Sequence, residues 1–194
     1  MLVMIDAAPT AAVPAGYPRE LEREIRLKDG AAARIRPVRP DDAQRLIDLY
    51  DRLSYTTAYQ RFFRAPKRLP PEWARLFANV DYHGRLALVA EHDAPRGPEL
   101  VGVARYEPSD EPGTVEVAVV VQDGWQGRGL GVMLLSDLLA AAAARGIHRF
   151  CAFVLADNSR MLRMLARFTR VEKRTIDSGV VELIFTPRAR TVSV

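Results

Sequence analysis

The stretch Thr114-Val-Glu-Val-Ala-Val-Val-Val121-Gln-Asp-Gly-Trp-Gln126-Gly127-Arg128-Gly129-Leu130-Gly131 decides how this chain is read. Residues 114–121 are mostly β-branched and apolar, the composition of a strand. From Val132 to Arg145 the chain turns Leu- and Ala-rich, with Leu134, Leu135, Leu138, Leu139 and Ala142 at helical spacing, and stops before Gly146. Strand, glycine turn and helix in that order aim free backbone N–H groups and the positive end of a helix dipole at one point beyond the sheet. An anion such as a pyrophosphate suits that point.

Two familiar phosphate loops do not fit. A Walker-type loop needs Gly-Lys-Ser/Thr at the helix start, and no lysine stands here. A dinucleotide fingerprint needs G-x-G-x-x-G inside a βαβ series. These glycines fall at Gly127, Gly129 and Gly131, and the strands before them read as hairpins. On its own, such a turn is also compatible with no ligand at all.

Outward from the turn, Glu20 to Leu27 and Ala32 to Val38 read as strands joined at Lys28-Asp29-Gly30. Pro40-Asp41-Asp42 opens a helix whose buried stripe is Ala43, Leu46, Ile47, Tyr50 and Leu53. Ser54 to Phe63 and Pro70 to Asn79 read as two more helical pieces. Arg85 to Glu91 and Leu100 to Glu107 are strands around a loop at residues 93–98, and Asp110 to Gly113 turns into the central strand. Beyond the central helix come a strand from His148 to Leu155, a helix capped by Asp157 or Asn158 and running to Phe168, and strands at Thr169 to Thr175 and Val180 to Phe185. Residues 1–18 read as a mobile segment, 19–187 as one domain and 188–194 as a frayed basic tail.

At 194 residues, 48% hydrophobic and 27% charged, the chain has the make-up of a globular domain with a substantial core. No apolar run approaches the ~18 residues of a membrane span. Met1 to Ile5 lacks the basic flank and length of a secretion signal, so the expectation is a cytoplasmic protein without a membrane partner. Cys151, the single cysteine, lies in an apolar strand-like run and reads as a buried structural thiol. His83, His92 and His148 are scattered, which argues against a metal site. The net charge of +4 is spread along the chain; it suits an anionic ligand and does not make a nucleic-acid surface.

Val121-x-Asp123-x-Trp125-Gln126-Gly127-Arg128-Gly129-Leu130-Gly131 resembles the acyl-CoA-binding motif of the GNAT superfamily of N-acetyltransferases, Q/R-x-x-G-x-G/A after a strand. The element order resembles that family from Ala32 to Phe185. Leu27-x-Asp29-Gly30, Ile35-Arg36-Pro37-Val-Arg39-Pro40-Asp-Asp42-Ala43 and Tyr59-x-Arg61-Phe62-Phe63 resemble the catalytic domains of bacterial protein-lysine acetyltransferases of the Pat type. The resemblance implies an α+β (α/β/α) GNAT fold: a mixed, mostly antiparallel twisted sheet of about seven strands flanked by helices, its central parallel strands splayed.

It also implies acetyl-CoA as cosubstrate, with no metal. The N–H groups of Gln126, Gly127, Arg128, Gly129, Leu130 and Gly131 would hold the pyrophosphate, and Arg128 would add charge. Main-chain groups of Val119 and Val121 would pair with the pantetheine arm, and the amide of Val119 or Val120 would serve as oxyanion donor. Asn158 would hold the arm, and Arg160 or Arg163 would reach the 3′-phosphate. Glu116, the one charged residue in an apolar strand and ten residues before Gln126, is the general-base candidate; a cross-strand pair is its plainer role. The implied acceptor is a protein lysine, for example on an acyl-CoA synthetase. A small amine is the alternative, and a non-catalytic acyl-CoA sensor is a second. Glu107, Asp110 and Glu111 are candidates to draw a cationic acceptor. The final tyrosine is Tyr106, so the tyrosine that many family members place in the last helix to protonate the thiolate is absent. Oligomeric state is not readable.

Overall fold

The computed structural model describes residues 13–188. After a 3-10 turn at Arg19–Leu21 come β1 (Arg23–Arg26) and β2 (Ala32–Pro37), then α1 (Ala43–Asp51), α2 (Tyr55–Phe62) and α3 (Pro71–Ala78). The hairpin β3 (Leu86–Ala94) and β4 (Gly97–Pro108) leads to β5 (Val115–Val121), and the glycine turn to α4 (Leu130–Ala143). β6 (Phe150–Leu155), α5 (Ser159–Phe168), β7 (Thr169–Asp177) and β8 (Val180–Pro187) complete the described chain. The strands form one sheet in the order β1-β2-β3-β4-β5-β6-β8-β7, antiparallel throughout except for β5 with β6.

Each sheet face has its own core, because strand side chains alternate. One face carries Leu88, Tyr106, Val117, Phe150 and Phe185 and is covered by α4, whose Leu134, Leu135 and Leu138 are wholly buried, and by Leu165 of α5. At roughly 1.5–3 kcal/mol per fully buried leucine, this helix is a main anchor of the fold. Gly102 of β4 lets it come close: a Cβ there would meet Leu134 Cδ1 at 3.0 Å. The other face carries Val89, Leu100 and Val103 and is covered by α1, α2 and α3 through Ile47, Tyr50, Ala58 and Ala74. The start of α1 is pinned by a buried ion pair, Arg36 Nη1 to Asp42 Oδ2 at 2.7 Å, while Asp42 also accepts from the Arg39 N–H at 2.8 Å.

The expected fold class holds, with adjustments. Among the described residues the sheet has eight strands, against the expected seven or so. Residues 93–98, expected as a loop, are mostly strand. β3 runs on to Ala94, β4 begins at Gly97, and the turn closes over Pro95-Arg96 because Gly97 takes φ 110°. β1 starts only at Arg23, since Arg19–Leu21 closes a 3-10 turn, and α4 starts at Leu130, two residues before expectation. Of the segment expected to be mobile, residues 1–12 lie outside the described residues. Tyr17 is buried, stacks edge-on against Tyr82 and donates to Glu22 Oε1 at 2.8 Å, so the packed chain begins before residue 19. Of the expected tail, residues 189–194 lie outside the described residues, and Arg188 donates through Nε to Thr169 O at 2.8 Å.

Candidate active site

β5 and β6 pair at only two positions, Val115 with Phe150 and Glu116 with Cys151, and then part. Beyond Glu116 one edge of β5 has β4 as its partner and the other opens onto a cleft of about 700 Å³. The phase of the strand says which groups face it. The Val115 N–H donates to Arg149 O on the β6 side, and the Gln122 N–H donates to Val101 O on the β4 side. By alternation the N–H groups of Val117, Val119 and Val121 point to the β6 side: that of Val117 is taken up in the Glu116–Cys151 pairing, those of Val119 and Val121 face the cleft, and that of Val120 faces Val103 of β4. Of the two oxyanion-donor candidates, therefore, Val119 points into the cleft and Val120 does not. The Val121 carbonyl already accepts from Gln126 Nε2 at 3.0 Å.

The glycine turn closes one end. Gly127 and Gly129 take φ 78° and 95°, left-handed conformations that cost a residue with a Cβ about 1–2 kcal/mol. Gly129 occupies the N-cap of α4 and offers no side-chain cap. The N–H groups of Gly127, Arg128 and Gly129 make no backbone hydrogen bond among the described residues. Those of Leu130, Gly131 and Val132 lie in the first helical turn, where no partner exists within the helix. Gln126 differs from expectation: its N–H donates to Asp123 O at 3.1 Å, and its side chain instead bridges Thr57 Oγ1 and Arg160 Nη1, the latter at 2.6 Å.

The charge beside the turn also differs. Arg128 turns away to pair with Asp29 Oδ2 at 2.8 Å and lies over the Trp125 ring at 5.2 Å. Lys28, from the β1–β2 turn, lies over Gly129 and lines the cleft in its place; its N–H donates to Arg128 O at 3.3 Å. Asn158 caps α5 by accepting from the Met161 N–H at 3.1 Å and lines the cleft with Arg160 and Arg163. Five cationic side chains and one carboxylate line the cleft among the described residues. No His, Cys, Asp and Glu grouping among them could hold a metal ion.

That one carboxylate is Glu116, at the opposite end. With Ala118 and Val120 it belongs to the face covered by α1–α3, and it stands opposite Glu107 on β4 and Cys151 on β6. Two adjacent carboxylates would repel, but Glu107 is clamped by Arg85 and Arg105. Glu116 makes no ion pair or hydrogen bond among the described residues and lines the cleft. Glu111, expected to draw a cationic acceptor, is engaged by Arg149 Nη1 at 3.3 Å. Facing Glu116 from α2 is Arg61, half-buried and without an ion pair among the described residues; burial, reinforced by the neighbouring Arg105 charge, pushes its guanidinium down to about 10. The Cys151 thiol is buried, donates to Ser109 Oγ at 3.3 Å and is pushed up by burial, which suits a structural role. Tyr106 is buried on the far face and donates to His83 O at 2.7 Å, so it does not reach the cleft.

A tie between the turn and α2 went unread in the sequence. Asp123 accepts from Ser54 N at 2.9 Å, Ser54 Oγ at 2.7 Å and Thr57 Oγ1 at 2.8 Å. Burial acts to raise this carboxyl, but those hydrogen bonds outweigh it and hold it below the usual carboxylate range. The one sequence signal was Ser54-x-x-Thr57, an N-cap pattern without an acid of its own.

Comparison with known proteins agrees with this geometry. The acetyltransferase (GNAT) family model matches residues 43–169. An acetyltransferase of Pseudomonas aeruginosa is 30% identical over 153 residues, covering 79% of this chain and 82% of that one. The acetyltransferase Pat of Mycolicibacterium smegmatis is 36% identical over 160 residues, which is 81% of this chain and 46% of the relative, so the chain spans under half of that protein. The crystal structure of the GNAT domain of S. lividans PAT superposes with a TM-score of 0.77 at 36% identity, covering 88% of this chain and 99% of the domain. The parted strands, the free N–H groups of the glycine turn and these matches lead to one conclusion: the chain belongs to the GNAT family and is an acyl-CoA-dependent N-acetyltransferase.

Proposed function

We propose that this protein moves an acetyl group from acetyl-CoA to the side-chain amine of a protein lysine, by direct attack with Glu116 as general base. The observation that carries the reading is the parting of β5 and β6 beyond Glu116, which puts unpaired amides, a phosphate-ready turn and one free carboxylate on a single cleft. Acetyl-CoA supplies the activated acetyl group. The residues fit it: a polyanion matches the excess of cations, and a slim amide-bearing arm matches the open edge of β5.

In this reading the turn N–H groups and Lys28 hold the phosphates, Asn158 and the main chain of Val119 align the arm, and Glu116 accepts the proton that the ammonium must lose before nitrogen attacks. The Val119 N–H donates to the carbonyl oxygen as negative charge develops there. As the C–S bond breaks, the leaving thiolate takes up a proton to become the thiol. No tyrosine lines the cleft among the described residues to supply it.

The protein acceptor, an acyl-CoA synthetase for example, is supported by the likeness to Pat-type domains and by the exposed aromatics Phe63 and Phe153 at the cleft, a surface suited to a folded partner. The small-amine reading draws on the neutralised acids before β5, since Glu107 and Glu111 are spent on arginines and leave little to attract a lysine-rich surface. Incubation with labelled acetyl-CoA and a proteome extract, followed by acetyl-lysine mapping, tests the choice. Modified lysines are expected. No modified protein, alongside turnover of a small amine, would sink the protein-substrate reading, and acetyl-CoA binding without transfer to anything would leave a sensor.

A further inference from the structure

The Tyr59-x-Arg61-Phe62-Phe63 motif has so far only a likeness to its name. In the structure it places Arg61 on α2 at the Glu116 end of the cleft. The guanidinium stacks near the Phe62 ring, 4.9 Å from its centroid, and has no ion pair among the described residues. An uncompensated cation there is costly, because it has given up much of its water without gaining a counter-ion. The carboxylates on the same face relieve it only in part. Glu107 is held by Arg85 and Arg105, and Glu116, although it faces Arg61, shares no hydrogen bond or ion pair with it. The Glu116 end of the cleft therefore presents a cation and a carboxylate, neither engaged in an ion pair among the described residues. A purely cationic acceptor such as a polyamine would satisfy Glu116 and be repelled by Arg61. An amine with an anionic neighbour satisfies both.

We propose that the acceptor carries a carboxylate close to its amine, and that Arg61 receives that carboxylate while Glu116 faces the amine. The inference rests on the acetyl-transfer reading and narrows its acceptor class: in a protein, a lysine flanked by Asp or Glu; in a metabolite, an amino acid. Arg61 is matched to the task, since a guanidinium offers a planar pair of donors to both oxygens of a carboxylate.

The test uses the full chain with acetyl-CoA and matched acceptors, read by CoA release. One arm is a set of lysine peptides with Asp or Glu beside the lysine, and the same peptides with Asn or Gln. The other is a set of free amino acids and their amides. Each carboxylate member should exceed its amide partner in kcat/KM by about 10- to 100-fold, the range of one charge-assisted hydrogen bond. Arg61→Gln should collapse that ratio towards one and leave acetyl-CoA binding, measured by calorimetry, intact; Arg61→Lys should keep part of it. A ratio confined to the peptides assigns the carboxylate to a residue flanking a protein lysine, and one confined to the amino acids assigns it to the α-carboxylate. Either result supports the assignment. A wild-type ratio near one, or a ratio untouched by Arg61→Gln, overturns it while leaving acetyl transfer standing. Tight acetyl-CoA binding with transfer to none of the acceptors removes the acetyl-transfer reading, and this inference with it.

Discussion

At the Gly127–Gly131 end of the cleft the inward groups are main-chain N–H, whereas at the Glu116 end they are side chains contributed by β5 and α2, with ion pairs behind them on β4. A main-chain site is set by conformation: two positive-φ glycines and a helix start suffice, whatever the neighbours. A side-chain site is set by which charges are already spent on one another. The first kind tolerates exchange of nearby side chains and fails when the backbone is strained. The second can be rewritten by moving one ion pair.

The largest expected effect breaks the second end alone. Glu116→Gln should lower kcat by about 10²- to 10⁴-fold, the usual worth of a general base, with the Kd for acetyl-CoA unchanged. Full turnover in that variant would remove the assignment. Gly129→Val should do the reverse. A β-branched residue at φ 95° costs roughly 1–3 kcal/mol and tilts the N–H groups, so acetyl-CoA affinity should fall about tenfold or more while the pH profile of the remaining turnover stays the same.

A smaller contrast lies within the first end. Lys28→Ala should weaken acetyl-CoA binding a few-fold, about 1 kcal/mol or less, and the loss should shrink at high salt. Arg128→Ala should leave that affinity nearly unchanged, because its charge is taken by Asp29. Equal losses in the two variants would dissolve the distinction. Smaller still, Arg61→Gln should raise Tm slightly. Its guanidinium lies below its ordinary value, so the charged form is disfavoured by folding, and removing it relieves the fold at every pH below about 10. Asp123 has the opposite sign. Its carboxyl is held low, so the tie to Ser54 and Thr57 contributes fully above the ordinary carboxylate value of about 3.9 and is lost as pH falls through the lowered folded value. Thermal melts of wild type and Asp123→Asn should therefore converge in acid and separate near neutrality.

The same division explains what the chain's residues disclosed by themselves. Strand–turn–helix at 114–145, the hairpins and the helix capped by Ser54 are local patterns, and they appear in the expected order with ends shifted by a few residues. Arg128 and Lys28 exchange roles because Asp29 lies far away in sequence and next door in space. Glu107 and Glu111 look like an acidic rim until Arg85, Arg105 and Arg149 are brought to them. Val119 and Val120 cannot be told apart by composition. The choice depends on strand phase, anchored by the Val115 N–H on Arg149, an interaction only the parallel pairing creates. Residues 93–98 differ for a converse reason: Asp, Pro and Gly signal a loop, but Gly97 lets the hairpin close tightly around them.

The parting of β5 from β6 can also be viewed as a sheet edge that lies in the middle of the molecule. At the rim of a sheet, unpaired N–H and C=O groups are a template on which other chains add, a hazard that proteins blunt with charge, proline or bulges. Here Val117 to Val121 carry none of these, yet α2 on one side and α5 on the other restrict what can approach. The fold thus keeps an unpaired edge inside a cleft, and hydrogen exchange should find the amides of Val119 and Val121 open in the free protein and closed when acetyl-CoA is bound.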